Sequence, residues 1–151
     1  MALSDDIRLF SQLPLFQGMD DDQLRLIAFG ADRRHIAAGQ TLFRERSPAE
    51  CAYVVAAGRF ELTTLDAKGA AQVAATVEAG TLLSELALVT LVERKYTAVA
   101  LEDATVIRIT RALFHRLIEE YPDAAKLIES RVRDNFNRMV QQASAMLHRF
   151  S

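Results

Sequence analysis

Apolar positions along this chain change their period twice. Between residues 7 and 13 they fall three apart, at Ile7, Phe10 and Leu13, which predicts a short helix that Pro14 stops. The Asp20-Asp21-Asp22 cluster suits the start of a second helix, because carboxylates are favourable beside its unpaired N–H groups. That helix carries Leu24, Ile27 and Ala28 on one face and ends near Gly30. From residue 33 to 110 the pattern becomes short runs broken by turns at Ala38-Gly39, Ser47-Pro48, Gly58, Asp66-Ala67-Lys68-Gly69 and Ala79-Gly80. The predicted strands are 33–37, 41–43, 52–57, 59–65, 71–77, 96–102 and 104–110. Many short strands with closely spaced turns imply a sandwich or jelly roll.

The helical period then returns. Residues 111–121 put Leu113, Phe114, Leu117 and Ile118 on one face, and Pro122 is a favoured first residue for the next helix. A long helix should run from there to about residue 149, with one apolar stripe through Ile128, Val132, Phe136, Met139, Ala143, Met146 and Phe150. A small β-roll cannot cover that length. The part beyond about Asn135 needs a partner, and the same helix of a second copy would serve.

Composition narrows the classes. With 151 residues, 50% of them hydrophobic and 25% charged, the chain has the makeup of a globular domain with one appended helix. A net charge of −2 argues against a general electrostatic grip on DNA or on an anionic membrane. The single cysteine, Cys51, cannot form an internal disulfide, and a buried inert thiol in a reducing cytoplasm is the expectation. Asp5 and Asp6 stand where a secretion signal would be basic, and no apolar run is long enough to span a bilayer. His35, His115 and His148 show no metal-ligand spacing, and Ser84 lacks the flanking glycines of a nucleophile elbow. No acid–base pair, nucleophile or metal set converges, so an enzyme is not expected. Arg33, Arg34, His35, Arg131, Arg133 and Arg138 read as solvated faces.

The stretch that carries chemistry runs from Gly80 to Leu101. Glu85-Leu86-Ala87-Leu88 predicts a turn of helix starting near Ser84, a good N-cap residue, whose first N–H groups converge on one spot that favours an anion. Arg94, nine residues beyond Glu85, can return across that spot and clamp two phosphate oxygens with its planar fork. Glu85 can accept a hydrogen bond from a hydroxyl of whatever brings that anion.

This stretch resembles the phosphate-binding cassette of cyclic nucleotide-binding domains, in which Gly-Glu-Leu-Ala-Leu precedes Arg-x-x-Ser/Thr. Arg94 and Thr97 match the second half of that pattern. Upstream, Ala38-Gly39-Gln40, Phe43-Arg44-Glu45 and Tyr53-Val54-Val55-Ala56-Ala57-Gly58 follow the same family's outline, so the resemblance covers roughly residues 7–122. It departs at Ser84, where the family has Gly, and at Lys95 and Tyr96, where small residues are usual. Lys95 adds charge beside a phosphate, whereas Tyr96 sits under the pocket or fills it. Arg46 replaces a turn glycine, so that turn is expected to take another shape.

The resemblance implies a mainly β fold with flanking helices: a double-stranded β-helix, jelly-roll-like, over residues 1–121, then a long C-terminal helix over 122–151. It implies a ligand, cAMP rather than cGMP, held by Leu83, Ser84, Glu85, Leu86, Ala87, Arg94, Lys95, Tyr96 and Thr97, with no further cofactor. In catabolite-activator-type regulators the long helix forms a dimer seam and its hydroxyl residues contact the base. Here Met139 and Val140 occupy those positions, and Asn135, Gln141 or Gln142 could substitute. The expected function is a regulatory sensor that couples nucleotide binding to helix packing in a homodimer, without direct DNA or membrane binding. The rivals are a dimeric scaffold with a degenerate pocket, and a transcription regulator without its helix-turn-helix domain.

Overall fold

The computed structural model describes residues 2–150, with side chains described for 3–141. Helix α1 (Ala2–Ser11), a 3-10 turn (Pro14–Phe16) and α2 (Asp21–Gly30) precede ten strands. Asp20 opens α2 as anticipated: its carboxylate accepts from the Gln23 amide, and the Gln23 side chain accepts from the Asp20 amide in return.

The strands are β1 (Asp32–Ile36), β2 (Thr41–Phe43), β3 (Pro48–Ala49), β4 (Cys51–Ala57), β5 (Arg59–Leu65), β6 (Ala71–Glu78), β7 (Leu82–Leu83), β8 (Val92–Glu93), β9 (Thr97–Ala100) and β10 (Ala104–Thr110). They form two four-stranded antiparallel sheets, ordered β1-β10-β4-β7 and β2-β9-β5-β6, and a short β3-β8 ribbon. This is the mainly β roll that the strand pattern implies. At the β4–β5 corner Gly58 has a φ of 87°, and a Cβ there would lie 2.6 Å from the Ala104 Cβ, so only glycine fits.

Strand β4 shows how the layers are built. Cys51, Tyr53 and Val55 face the interior of the roll with Phe60, Leu62, Ala98 and Val106. The alternate residues, Ala52 and Val54, face a second core with Phe10, Phe16, Leu24, Ile107 and Leu117 under the helices. A strand covered on both faces reads as one continuous apolar run, which residues 51–57 do.

Helix α3 (Arg111–Glu120) is capped by the Thr110 hydroxyl, and α4 (Pro122–Phe150) follows directly. Ala125, Ile128 and Val132 of α4 are buried in the helix-side core. Phe136, Met139 and Val140 farther along are 44–47% exposed. Gln142, Ala143, Met146, His148 and Phe150 lie outside the residues whose side chains are described.

Of the arginines expected on solvated faces, Arg33, Arg34 and Arg133 are exposed and carry surface ion pairs, whereas Arg131 is half-buried against protein carbonyls. Arg131 donates to the carbonyls of Leu15 and Gln17, pinning α4 to the N-terminal turn, and Arg33 pairs with Asp6 of α1.

Candidate ligand-binding site

The cassette begins at Ser84, whose φ of 64° and ψ of 41° place it in the left-handed region that favours glycine. Its side chain makes no capping bond, so the expected hydroxyl N-cap is replaced by backbone geometry alone. The helix that follows is one 3-10 turn, Glu85–Leu88, and not a turn of α-helix. So short an element has little macrodipole, and its contribution to anion binding is the first amides, which precede any intrahelical acceptor.

Arg46 likewise corrects an expectation. It does not reshape its turn but adopts a φ of 70°, the conformation a glycine would supply. Arg46 and Ser84 are the two non-glycine residues with positive φ among those described. The Arg46 turn is bonded to the cassette strand: its amide donates to the Arg94 carbonyl at 2.7 Å, and the Arg94 amide donates to the Ser47 carbonyl at 2.8 Å. That pairing fixes the backbone from which the Arg94 side chain departs.

The Arg94 guanidinium lies inside the roll, and the residue is 5% exposed. It donates to the Cys51 carbonyl at 2.9 Å and to the Cys51 sulfur at 3.3 Å. Its Cζ lies 4.6 Å from the centroid of the Phe43 ring and 5.3 Å from that of Tyr53, and these two rings stack on each other. Burial, with the neighbouring Cys51, pushes the Tyr53 phenol above its ordinary pKa, so its ring stays neutral beside the cation. No carboxylate pairs with Arg94 among the described residues.

Beyond Phe43 opens a cavity of about 540 Å³, a size typical of small-molecule sites. Of the predicted residues, Leu83, Ser84, Glu85, Leu86, Lys95 and Tyr96 line it. Tyr96 forms part of the wall and does not fill the space. Three predicted residues do not line it. Arg94 is turned behind Phe43, Ala87 is fully buried, and the Thr97 hydroxyl faces the other way, accepting from the Glu45 amide at 2.9 Å.

The other side of the cavity is α4, through Val132, Phe136 and Met139. Burial pushes the Glu85 carboxyl above its ordinary pKa, and a 3.2 Å hydrogen bond from the Asn135 amide of α4 opposes that rise. Phe43, Leu62 and Val92 carry no separate signal as wall residues, since each fits an ordinary strand. For Val132 and Phe136 the stripe itself was the signal, but it pointed to a partner helix, whereas Met139 also stands at the base-contacting position that the resemblance implies.

Arg111, the first residue of α3, was also missed. It donates to the carbonyls of Ala87, Ala49 and Thr90, each at 2.9 Å, tying the cassette turn to β3 and α3. Among the described residues no cluster of three metal-ligating side chains occurs, and no helix is long and apolar enough to cross a membrane.

Comparison with known proteins places this geometry. The cyclic nucleotide-binding domain family matches residues 33–121. An NTE-family protein of Mycobacterium tuberculosis is 30% identical over 131 residues, covering 87% of this chain but 21% of that protein. The chain therefore spans about a fifth of that relative. A cyclic nucleotide-binding-like protein from Brucella abortus is 40% identical with a TM-score of 0.70, over 77% of this chain and 99% of that one. The regulatory domain of Toxoplasma gondii PKA, solved with cAMP, is 25% identical with a TM-score of 0.71, over 76% of this chain and 44% of that one. The family match spans more than half of the chain and includes Ser84, Glu85 and Arg94, and the chain belongs to the cyclic nucleotide-binding domain family.

Proposed function

We propose that the chain is a regulatory sensor that binds a cyclic nucleotide, cAMP in preference to cGMP, and passes occupancy to α4. It works by binding and not by catalysis. The observation that carries this reading is the buried Arg94 guanidinium, packed on the Phe43 ring of the cavity wall and paired with no carboxylate among the described residues. A buried cation is costly unless it is paired, and carbonyl, sulfur and ring contacts compensate it only in part. An anion entering the cavity supplies the missing charge.

In this reading the phosphate meets the first amides of the cassette turn, Lys95 and Arg94, which exchanges its Cys51 contacts for phosphate oxygens. The ribose meets Glu85. The base packs on Val132, Phe136 and Met139, an apolar wall that favours adenine, because guanine carries more polar edge to desolvate. Contacts made by one ligand to both cassette and helix bias how α4 packs. The exposed outer face of α4 then meets a second copy, giving a homodimer.

Charge-assisted hydrogen bonds contribute about 1.5–3 kcal/mol, so Arg94→Ala should weaken cAMP by roughly 10- to 100-fold. Calorimetry with cAMP and cGMP on the wild type and the variant reads this directly. No heat from the wild type at about 1 mM nucleotide contradicts the reading. One observation favours a second reading, a dimeric scaffold with a pocket that binds no nucleotide: Arg94 already has hydrogen-bond partners at Cys51. That reading predicts a melting temperature indifferent to every nucleotide.

A further inference from the structure

We propose that Asn135 is a positioning residue for Glu85, and that it lets the site distinguish a ribose from a 2′-deoxyribose. The inference rests on the nucleotide reading above and extends it to a residue on α4.

The Asn135 Nδ2 donates to Oε1 of Glu85 at 3.2 Å. It is the one hydrogen bond to the Glu85 carboxylate among the described residues. A carboxylate has two oxygens and accepts from several donors at once, so Asn135 leaves Oε2 able to accept another. Glu85 lines the cavity, as do Val132 and Phe136, which bracket Asn135 on the same helix. The second oxygen is therefore available to a ligand hydroxyl, and the amide on the first holds the carboxylate plane.

This carboxylate is partly withdrawn from water, and desolvation opposes its charged form. A donor that stays in place keeps the acceptor charged and oriented before the sugar arrives. Without it the carboxylate is free to rotate, and binding must fix it at the ligand's expense. The Asn135 side chain thus serves the ribose through Glu85 and has no need to touch the base. The bond also crosses from the cassette to α4, so a sugar hydroxyl that immobilises Glu85 strengthens the hold of the turn on the helix.

The test compares cAMP with 2′-deoxy-cAMP on the wild type, Asn135→Leu, Glu85→Gln and the double variant. In the wild type the ribose form should bind more tightly than the deoxy form. Asn135→Leu should shrink that ratio roughly three- to tenfold, the scale of one ordinary hydrogen bond, because the ribose contact is weakened and not removed, while 2′-deoxy-cAMP affinity stays the same. On the Glu85→Gln background the Asn135 change should add nothing to the ratio, since the two act as a unit. If both ligands weaken together, or the ratio does not move, Asn135 is only a packing residue and the inference is overturned. If the wild type binds neither ligand, the nucleotide reading falls and this inference falls with it.

Discussion

At the scale of single residues, Ser84 and Arg46 stand where the family uses glycine, yet both keep the left-handed backbone a glycine would take. Holding a non-glycine residue in that region costs on the order of 1–3 kcal/mol. Restoring glycine relieves this strain but adds about 0.4–1 kcal/mol of unfolded-chain entropy. Ser84→Gly and Arg46→Gly should therefore each stabilise the chain by about 1 kcal/mol, raising the melting temperature by a few degrees. A thermal melt that shows either variant less stable than the wild type contradicts this account of the two turns. Arg94 belongs to the same scale. Its type and spacing marked it in the sequence, but its rotamer did not. Whether a guanidinium turns toward a cavity or toward the carbonyl and aromatic rings beside it depends on Cys51, Phe43 and Tyr53. Those residues come from other strands, and each reads as an ordinary core position.

At the scale of elements, long strands and amphipathic helices were legible because their signal is local. Residues 41–43, 59–65 and 104–110 alternate and end at turns, and the observed strands have those bounds. The two-residue strands β3, β7 and β8 were not legible, since each exists only through pairing with a distant segment, such as Tyr53 with Leu83. The cassette turn was legible as a helix but not as 3-10, a choice made by tertiary contacts such as Arg111 on the Ala87 carbonyl. The C-terminal stripe has two jobs that its period cannot separate. Val132 is buried against the helix-side core, whereas Phe136 and Met139 wall the cavity and remain near half-exposed. Val140 is 47% exposed and does not line the cavity, so it lies on the face that the proposed dimer would use. Light scattering after size exclusion should report a dimer for the wild type and a monomer for Val140→Arg, because a charge in an apolar seam is left unpaired. A monomeric wild type at micromolar concentration removes the seam.

At the scale of the whole molecule, two cores share strands β4 and β10. The outer core holds the helices on the roll, and the inner one carries a buried cation next to open space. Arg111 ties the cassette to α3, Arg131 ties α4 to the N-terminal turn, and the Asn135–Glu85 bond ties α4 to the cassette. These contacts are the polar links through which the proposed ligand, anchored on the cassette, would act on α3 and α4. In the proposed sensor the Arg94 guanidinium awaits the charge of a ligand. The most direct measurement is the side-chain Nε–H signal of Arg94 in nitrogen-15 NMR, identified by its loss in Arg94→Lys. Saturating cAMP should shift that signal as a phosphate replaces the Cys51 contacts. A signal that holds its position through the whole titration, with Arg94 still on Cys51, contradicts the account.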